Sequence, residues 1–477
     1  MRNHTLLTDL YQLTMMNGYL KNNVADDIVV FDVFFRKNPS DNSYTIIAGV
    51  EQVIDYIENL HFDEDDLTYL RNTNLFDEDF INTLKNFKFT GDIYTVEEGT
   101  IMFPNEPIMR IKARCFEAQL IETAILNIVN FQSLIATKAA RVCEAAKGDA
   151  VFEFGLRRAQ GPDAGIYGAR AAYIGGCVGT SNVLAGKMFN IPVTGTMAHS
   201  WIQKFDSELD AFRAYANVYP QNCLLLVDTY DTLNSGIPNA ITVFNELKEK
   251  GYQPTGVRID SGDIAYLSKK ARKMLDEAGF QGLKIVASSD LDEETIYSLK
   301  IQEATVTGWG VGTNLITSKD CPALGGVYKL VAAEENGKLA PKIKISENPE
   351  KITNPGYKKV IRIYDESSKH AQADLIMLAD EVINTNQPLT IFHPTYTWKK
   401  KTFRNYSIRE LLIPLYIDGK LEYTRKTVQE VKEHTQKELD SLWPEYRRLK
   451  RPQLYKVDLS QKLWDLKHEL VKSLRDE

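Results

Sequence analysis

The chain has 477 residues, with 43% hydrophobic residues, 25% charged residues and a formal net charge of -7. This length exceeds one ordinary compact core, so it predicts a large domain and a smaller one. No apolar run is long enough to predict a membrane span, and the negative charge argues against unspecific nucleic-acid binding. A local basic pocket for a small phosphorylated ligand remains compatible with this charge.

The amino terminus, MRNHTLLTDLYQLTMM, interleaves polar residues with its leucines. A secretory signal needs an unbroken apolar stretch, so we predict a cytoplasmic protein. The five cysteines are widely spaced and form no CxxC pair that would indicate a zinc or redox centre.

Three regions precede the carboxyl-terminal segment. Residues 1–115 mix helical patterns with strand-like runs such as IVVFDVFF, which predicts an α+β domain. Residues 116–147 contain no Gly or Pro and repeat apolar residues at spacings of three and four, which predicts one long connecting helix. Residues 148–335 alternate β-rich runs with amphipathic segments of helix length, which predicts parallel βα units in a barrel or a doubly wound sheet.

The β-rich runs of residues 148–335 include FNIPVTGT, which we interpret as a buried strand. All these runs end in polar or small residues: FGLRR, GTMAH, VDTYD, RIDSGD, SSD and GVGTN. Side chains at the carboxyl ends of parallel strands line the active sites of α/β folds, so we expect these segments to converge. Residues 336–477 return to strand-like runs and end in helical patterns.

His199, in GTMAHSW, is the only histidine between His61 and His370. A histidine at a strand end can act as a general acid or base or as a phosphoryl acceptor. It can also cap the following helix, but its position favours a functional role.

Four aspartates occur in the near-repeats DTYD and DSGD. Carboxylates at strand ends can hold Mg²⁺ or stabilise developing positive charge, whereas an Asp before a helix is also a common cap. Asp228 and Asp260 lie closer to the strands and favour function, while Asp231 and Asp263 fit either role.

Arg157, Arg158 and Arg258 also follow or end strand-like runs. Their position favours phosphate or carboxylate binding over simple pairing with a neighbouring acid. GWGVGTNLITSKD brings glycines before Thr313, so that backbone amides can approach an anion, although a turn without a ligand is the alternative. Together these residues describe a pocket for a magnesium-bound polyphosphate sugar and do not name the second substrate.

Five motifs in this order resemble the nicotinate phosphoribosyltransferase family: TDLYQLTM, EFGLRRAQGPDAG, GTMAHSW, VRIDSGD and GVGTNL. The resemblance extends from residue 5 to RRLKRPQLYKVDLS. It implies an irregular TIM-like α/β barrel over residues 148–335. It also implies a second α+β domain built from the amino-terminal segment and residues 336–477, which end in a helical tail.

The resemblance also implies a reaction. Nicotinate and phosphoribosyl pyrophosphate give nicotinate mononucleotide and pyrophosphate, coupled to hydrolysis of ATP, in NAD synthesis by salvage. Mg²⁺ is the implied metal, without an assigned set of ligands in this chain, and a homodimer is the implied assembly.

Carried over by motif, His199 resembles the histidine that ATP phosphorylates, and Asp228 and Asp260 resemble residues near that histidine and the ribose. The other implied roles are substrate contacts. These are Tyr11, Thr196 and Arg258 for nicotinate, Phe154 for stacking on its ring, Arg157 for base and phosphate, and Gly312 with Thr313 for the ribose 5-phosphate. On spacing alone, Tyr11 fits a core position better than a ligand contact.

Ser181 is a departure from a nicotinamide-specific relative, which carries an aspartate here. Serine can donate a hydrogen bond to the nicotinate carboxylate, whereas aspartate repels it, so the sequence favours the acid. The alternatives are a nicotinamide or quinolinate phosphoribosyltransferase and a catalytically silent nucleotide-binding relative that regulates a partner. A phosphosugar isomerase on a similar barrel leaves the histidine motif unexplained.

Overall fold

The computed structural model describes residues 3–348 and 351–475. Two compact units divide the chain. Unit 1 comprises Met1–Leu134 and Ala323–Glu477, and unit 2 comprises Ile135–Pro322. The sequence places the corresponding boundaries near residues 147 and 335.

The helices of the described residues are numbered in chain order. They are α1 (Leu10–Lys21), α2 (Val50–Glu58), α3 (Glu64–Asn72), α4 (Glu78–Lys85), α5 (Cys115–Leu120), α6 (Glu122–Ala146), α7 (Pro162–Ile174), α8 (Val183–Phe189), α9 (His199–Lys204), α10 (Glu208–Val218), α11 (Ile237–Glu249), α12 (Ile264–Glu277), α13 (Glu293–Ile301), α14 (Thr313–Ile316), α15 (Val428–Ser441) and α16 (Gln461–Ser473).

The strands are numbered in the same way. They are β1 (Ile28–Phe35), β2 (Thr45–Ile46), β3 (Asp92–Val96), β4 (Ile101–Met102), β5 (Met109–Arg114), β6 (Ala150–Glu153), β7 (Gly179–Thr180), β8 (Leu224–Leu226), β9 (Gly256–Ile259), β10 (Lys284–Ser289), β11 (Gly308–Val311), β12 (Gly326–Glu335), β13 (Lys338–Pro341), β14 (Lys358–Asp365), β15 (Ala371–Leu378), β16 (Leu389–Phe392), β17 (Lys400–Phe403), β18 (Tyr406–Glu410), β19 (Leu412–Ile417), β20 (Lys420–Leu421) and β21 (Val457–Leu459).

Unit 1 is built mainly on antiparallel sheet, with one parallel pair, β15–β21, at the edge of its four-stranded sheet. Its largest sheet has seven strands in the order β13-β12-β1-β5-β3-β19-β20, and a second has four in the order β18-β14-β15-β21. Strand β1, the third of these seven, is buried from Val29 to Phe35. Its one charged residue, Asp32, pairs with Lys358 at 2.9 Å, because a carboxylate is buried at acceptable cost only beside a partner.

Unit 2 contains a six-stranded sheet in the order β7-β6-β11-β10-β9-β8. All its strand pairs are parallel. The predicted parallel βα units are therefore confirmed, and the mixed α/β class with them. Among the described residues the outer strands β7 and β8 do not pair with each other, so the sheet remains open and no closed barrel is seen.

The parallel arrangement brings the carboxyl ends of six strands to one edge of the sheet. Capping side chains fix where the helical segments after two of these strands begin. Asp231 accepts hydrogen bonds from the amides of Leu233 and Asn234, and Asp263 accepts one from the amide of Tyr266 at the start of α12. Both aspartates are thus caps, the role that the sequence weighed evenly against function.

Two local predictions differ from the structure. FNIPVTGT is not a buried strand, because α8 continues to Phe189 and only Val193 forms an isolated bridge, with Thr180. Val193 is half exposed, so the inference from its apolar side chain to a buried position is wrong. The helix predicted over residues 116–147 is present as α5 and α6, separated at Ile121, which keeps helical backbone angles. No helix in the described part of the chain has the length and apolarity needed to cross a bilayer.

Candidate active site

His199 is the first residue of α9, at the carboxyl-terminal edge of the unit 2 sheet. Its Nδ1 lies 3.0 Å from the hydroxyl oxygen of Thr229, which follows β8. Its Nε2 lies 3.8 Å from Oδ2 of Asp260, which follows β9. The ring is 39% exposed, so the histidine is held in a fixed orientation and still accessible to a ligand.

Arg258 joins three segments of this edge. Its Nε donates to Ser288 Oγ at 2.8 Å, and one terminal nitrogen donates to Asp260 Oδ1 at 2.8 Å. The other terminal nitrogen makes two long contacts. It lies 3.3 Å from the hydroxyl oxygen of Thr196 and 3.5 Å from the backbone carbonyl oxygen of Met197. This side of the guanidinium has donor capacity left for a ligand.

Asp260 accepts hydrogen bonds from both Arg258 and Ser288 through Oδ1. Burial raises the pKa of this carboxyl, but the Ser288 hydrogen bond and the Arg258 charge outweigh burial and hold the pKa below its ordinary value. Asp260 is therefore a carboxylate at neutral pH. Its second oxygen, Oδ2, faces the His199 ring.

Asp228 ties the ends of β8 and β9 together. Its Oδ2 accepts from the Asp260 amide at 2.9 Å and from the Ser261 hydroxyl at 2.6 Å. Its Oδ1 is buried and has no hydrogen-bond partner within the described residues. A buried oxygen without a partner is costly, so it marks a position where a donor or cation is suited to bind.

Phe154 lies just beyond β6, and the Arg258 guanidinium carbon is 6.0 Å from the centre of its ring. The ring also stacks on Phe152, with 6.0 Å between centroids. On the neighbouring strand, a Cβ at Gly310 would lie 2.5 Å from the Phe154 ring. Glycine at that position therefore leaves the space that the aromatic ring occupies.

Glu153 is fully buried at the end of β6. It accepts hydrogen bonds from the Thr180 hydroxyl, at 2.6 Å, and from the Gly155 amide. Burial raises the pKa of Glu153. Its backbone carbonyl accepts from the Ser181 amide at 3.0 Å, so one residue fixes the segments that carry Phe154 and Ser181.

Gly312 and Thr313 follow β11, which pairs with β6. Phe154 donates its amide to the carbonyl of Val311 at 2.8 Å, so the glycine-rich turn lies beside the segment that holds Phe154. Arg157, in the short helical turn after β6, is exposed. The structure thus places the expected phosphate-binding residues along the same edge as the His199 cluster.

Tyr11 belongs to unit 1 and is 48% exposed on α1. The core position that its spacing suggests is therefore wrong. An exposed phenol in the first turn of α1 remains compatible with the ligand contact that the resemblance implies.

Three contributors to this site were not assigned a role from the sequence: Thr229, Ser288 and Glu153. Thr229 and Ser288 stand inside the quoted strand-end segments VDTYD and SSD, but hydroxyl residues are too common at strand ends to single out. Glu153 carried a usable signal, because an acidic residue inside the apolar run AVFEFG requires a partner.

Comparison with known proteins shows which family the chain resembles over its length. Family models match residues 6–130, 150–373 and 357–467, described as the N-terminal domain of nicotinate phosphoribosyltransferase, the nicotinate phosphoribosyltransferase family and the C-terminal domain. The chain is 49% identical to nicotinate phosphoribosyltransferase of Bacillus subtilis (strain 168), over 99% of this chain and 97% of the relative. The Homo sapiens relative of the same name is 32% identical, over 98% and 96%.

Solved structures agree. The crystal structure of human nicotinic acid phosphoribosyltransferase matches with a TM-score of 0.86 and 30% identity, over 97% of this chain and 99% of that one. A nicotinate-nucleotide pyrophosphorylase from Pyrococcus furiosus matches with a TM-score of 0.70 and 24% identity, over 92% and 96%, which shows a shared fold only. Fold and site define an enzyme of mixed α/β architecture with a charged cluster at its strand ends. The chain belongs to the nicotinate phosphoribosyltransferase family.

Proposed function

We propose that this enzyme converts nicotinate and phosphoribosyl pyrophosphate into nicotinate mononucleotide and pyrophosphate, in NAD synthesis by salvage. The cluster of His199, Arg258 and Asp260 carries the proposal, together with the relationship to the Bacillus subtilis enzyme. In this view the open sheet of six parallel strands in unit 2 forms part of an irregular, incompletely closed TIM-like barrel. The mainly antiparallel sheets of unit 1 form the second domain.

Nicotinate is proposed to bind between the Phe154 ring and the unsatisfied side of the Arg258 guanidinium. Arg258 lies within cation–π distance of the ring and keeps donors free toward Thr196, so it can meet a carboxylate on a stacked pyridine. Ser181, half-buried at the end of β7, supplies a further donor to the carboxylate. Tyr11 is the remaining proposed contact.

The ribose 5-phosphate is proposed to bind at Gly312 and Thr313, with Arg157 shared between phosphate and base. Transfer passes through a ribosyl centre with oxocarbenium character, which the pyridine nitrogen attacks. The depressed pKa of Asp260 keeps this group anionic, so it stabilises the developing positive charge. Positioning and charge neutralisation are the main contributions of the chain.

Mg²⁺ fits the residues present. Among the described residues no three His, Cys, Asp or Glu side chains cluster to hold a metal by themselves. Mg²⁺ bound with substrate phosphates needs only one or two carboxylates, and Oδ1 of Asp228 is a buried oxygen without a partner. Asp228 and Asp260 would hold the ion, and it would neutralise charge on the leaving pyrophosphate.

ATP is proposed to act through His199, which accepts its γ-phosphoryl group. The exposed imidazole lies beside Asp260, so a phosphoryl group on His199 would bring its charge next to the ribose and pyrophosphate positions. Hydrolysis of the phosphohistidine then makes product formation more favourable. The structure supports accessibility and orientation of the ring, and the family resemblance supplies the ATP step.

A homodimer is proposed from an exposed apolar surface on unit 2. Five large apolar residues within a short stretch are at least 39% exposed: Val178, Val183, Leu184, Met188 and Val193. Exposed apolar side chains grouped in this way favour a protein interface. Introducing a charge among these residues with Leu184→Glu is expected to convert a dimer into a monomer in light-scattering measurements, and an unchanged mass would move the interface elsewhere.

A substrate panel tests the proposed function. Purified protein with phosphoribosyl pyrophosphate and Mg²⁺ is offered nicotinate, nicotinamide or quinolinate, each with and without ATP. We expect mononucleotide from nicotinate, at a rate raised by ATP and with release of ADP. Turnover of only another pyridine would overturn the substrate assignment, and no turnover with any of them would favour the catalytically silent relative.

A further inference from the structure

Unit 1 contains a cavity of about 260 Å³ that the proposed function does not use. This unit 1 cavity is lined by Asp32 on β1, Lys358 on β14, His393 after β16 and Lys467 on α16, all of them residues of unit 1. Asp32 and Lys358 are buried, whereas Thr395 in the same lining is exposed. The cavity therefore runs from the surface into the interior, and its volume suits a small ligand.

The charges that line the unit 1 cavity do not cancel. Nζ of Lys358 pairs with Oδ2 of Asp32 at 2.9 Å. Nζ of Lys467 donates to neutral oxygens only, the side-chain oxygen of Asn354 at 2.8 Å and the carbonyl of Ile352 at 3.5 Å. Burial and the nearby charge of Lys358 lower the pKa of Lys467 to about 8, with no opposing carboxylate among the described residues. One ammonium group of the lining thus lacks a counter-charge, which favours an anion as its partner.

His393 adds a donor to the cavity without adding a charge. Its Nδ1 accepts hydrogen bonds from the backbone amides of Thr395 and Tyr396, both at 3.1 Å. In the neutral ring the proton is then on Nε2. Burial lowers the pKa of His393, which favours this neutral form. Nε2–H makes no hydrogen bond within the described residues, so it can donate to a ligand.

Asp32 has the opposite requirement. Its Oδ2 is bound to Lys358, but its Oδ1 is buried and accepts no hydrogen bond within the described residues. A buried acceptor without a donor is costly. A ligand that satisfies both sides of the cavity therefore carries negative charge for Lys467 and a hydrogen-bond donor for Asp32. Phosphate meets both conditions, because at neutral pH it is an anion that retains a proton, whereas sulfate retains none.

We propose that the unit 1 cavity binds a protonated phosphate group, either inorganic phosphate or the phosphate of a small monoester. Lys467 and Nε2 of His393 donate to its oxygens, and its P–O–H group donates to Oδ1 of Asp32. The inference does not depend on the reaction proposed for unit 2, since no residue of the His199 cluster lines this cavity.

Three variants isolate the contribution of the lysine. Lys467→Met removes the charge, and the fold tolerates it because an ammonium without a counter-charge is costly to bury. Lys467→Arg keeps the charge. Lys462→Met is the matched control, because Lys462 is an exposed lysine of the same helix and does not line the cavity.

Isothermal titration calorimetry of the full chain measures binding of inorganic phosphate, glycerol phosphate and sulfate. We expect phosphate to bind Lys467→Met at least about tenfold more weakly than wild type, since a charge-assisted hydrogen bond is lost. Lys467→Arg and Lys462→Met should bind phosphate as the wild type does. Sulfate should bind at least about tenfold more weakly than phosphate, because it has no proton for Asp32. The tighter of phosphate and glycerol phosphate identifies the source of the group.

Crystals soaked in arsenate show where the ion binds by anomalous scattering, because arsenate also retains a proton at neutral pH. We expect a peak within hydrogen-bond distance of Nζ of Lys467. Wild-type affinity for phosphate in Lys467→Met, or arsenate only in unit 2, would overturn the inference. Sulfate binding as tight as that of phosphate would overturn it, and so would a wild type that binds no phosphate. None of these results depends on nicotinate turnover, so the two proposals fail separately.

Discussion

Two arginine–carboxylate clusters, one in each unit, differ in how completely the arginine is satisfied. In unit 1, Arg362 is fully buried and donates to Asp374, Glu438 and the carbonyl of Ile101 at distances from 2.6 to 3.2 Å. In unit 2, Arg258 is 18% exposed, and one of its terminal nitrogens makes only long contacts.

The difference separates structure from function. All three nitrogens of Arg362 have close acceptors within unit 1, and the side chain is fully buried, so its charge is used inside the fold. Arg258 is oriented by Ser288 and Asp260 on one side and remains under-satisfied on the other. An incompletely satisfied arginine beside an accessible histidine is therefore a better indicator of a binding site than burial or charge alone.

The largest expected effect is on stability in unit 1. Arg362→Met leaves the carboxylates of Asp374 and Glu438 without their main partner, and we expect the free energy of unfolding to fall by about 3–5 kcal/mol. Arg409→Met is the control, because Arg409 is 40% exposed and, among the described residues, its ion pair is with Glu438, so its loss should cost about 1 kcal/mol. Urea unfolding monitored by circular dichroism measures the unfolding free energy of both variants. Equal losses of stability would contradict the view that Arg362 is the main partner of these carboxylates.

The next effect is on catalysis in unit 2. Arg258→Lys keeps the charge but loses the planar set of donors that meets Asp260, Ser288 and a carboxylate ligand together. We expect kcat/KM for nicotinate to fall about 100-fold, with a smaller change in stability than Arg362→Met causes. Arg213→Lys changes a surface pair with Glu246 and serves as control. A stability loss without a catalytic loss at Arg258 would make the two clusters equivalent.

Ser181→Asp sharpens the comparison at the specificity level. A carboxylate at this position would repel the carboxylate of nicotinate, and we expect kcat/KM for nicotinate to fall about tenfold or more. Ser181→Ala removes the donor without adding charge and should have a smaller effect. Steady-state kinetics that remain unchanged in Ser181→Asp would remove Ser181 from the substrate pocket.

The smallest effect concerns pH. Burial raises the pKa of Asp260, but Ser288 and Arg258 together hold it below the unfolded value of about 3.9. The contribution of the Asp260 carboxylate to folding stability is therefore complete above about pH 4. It is lost as the pH falls through the lower pKa that Asp260 has in the folded protein. Wild-type unfolding free energy should thus decline more steeply below pH 4 than that of Asp260→Asn. Parallel curves would contradict the depressed pKa.

The sequence predicts the framework of unit 2 well, for a physical reason. Parallel strands buried on both faces are apolar runs, so AVFEFG and LKIVASSD correspond to β6 and β10. Their carboxyl ends meet at one edge, which is why His199, Asp228, Arg258 and Asp260 are neighbours.

Pairwise contacts and exposure were less predictable. FNIPVTGT has the composition of a strand but forms one bridge, because strand formation depends on a partner and not on composition alone. The bonds from Thr229 to His199 and from Ser288 to Asp260 link positions about 30 residues apart, so no local pattern encodes them. The exposure of Tyr11 was also not predictable, because the apolar residues around it in the sequence do not show which face of α1 is exposed.

One comparison of rates tests the central claim most directly: nicotinate mononucleotide formation by wild type and by His199→Asn, each with and without ATP. The account predicts that ATP accelerates the wild-type reaction and leaves His199→Asn at its ATP-independent rate. Equal acceleration by ATP in both proteins would contradict it, because the accessible imidazole beside Asp260 would then have no part in the coupling.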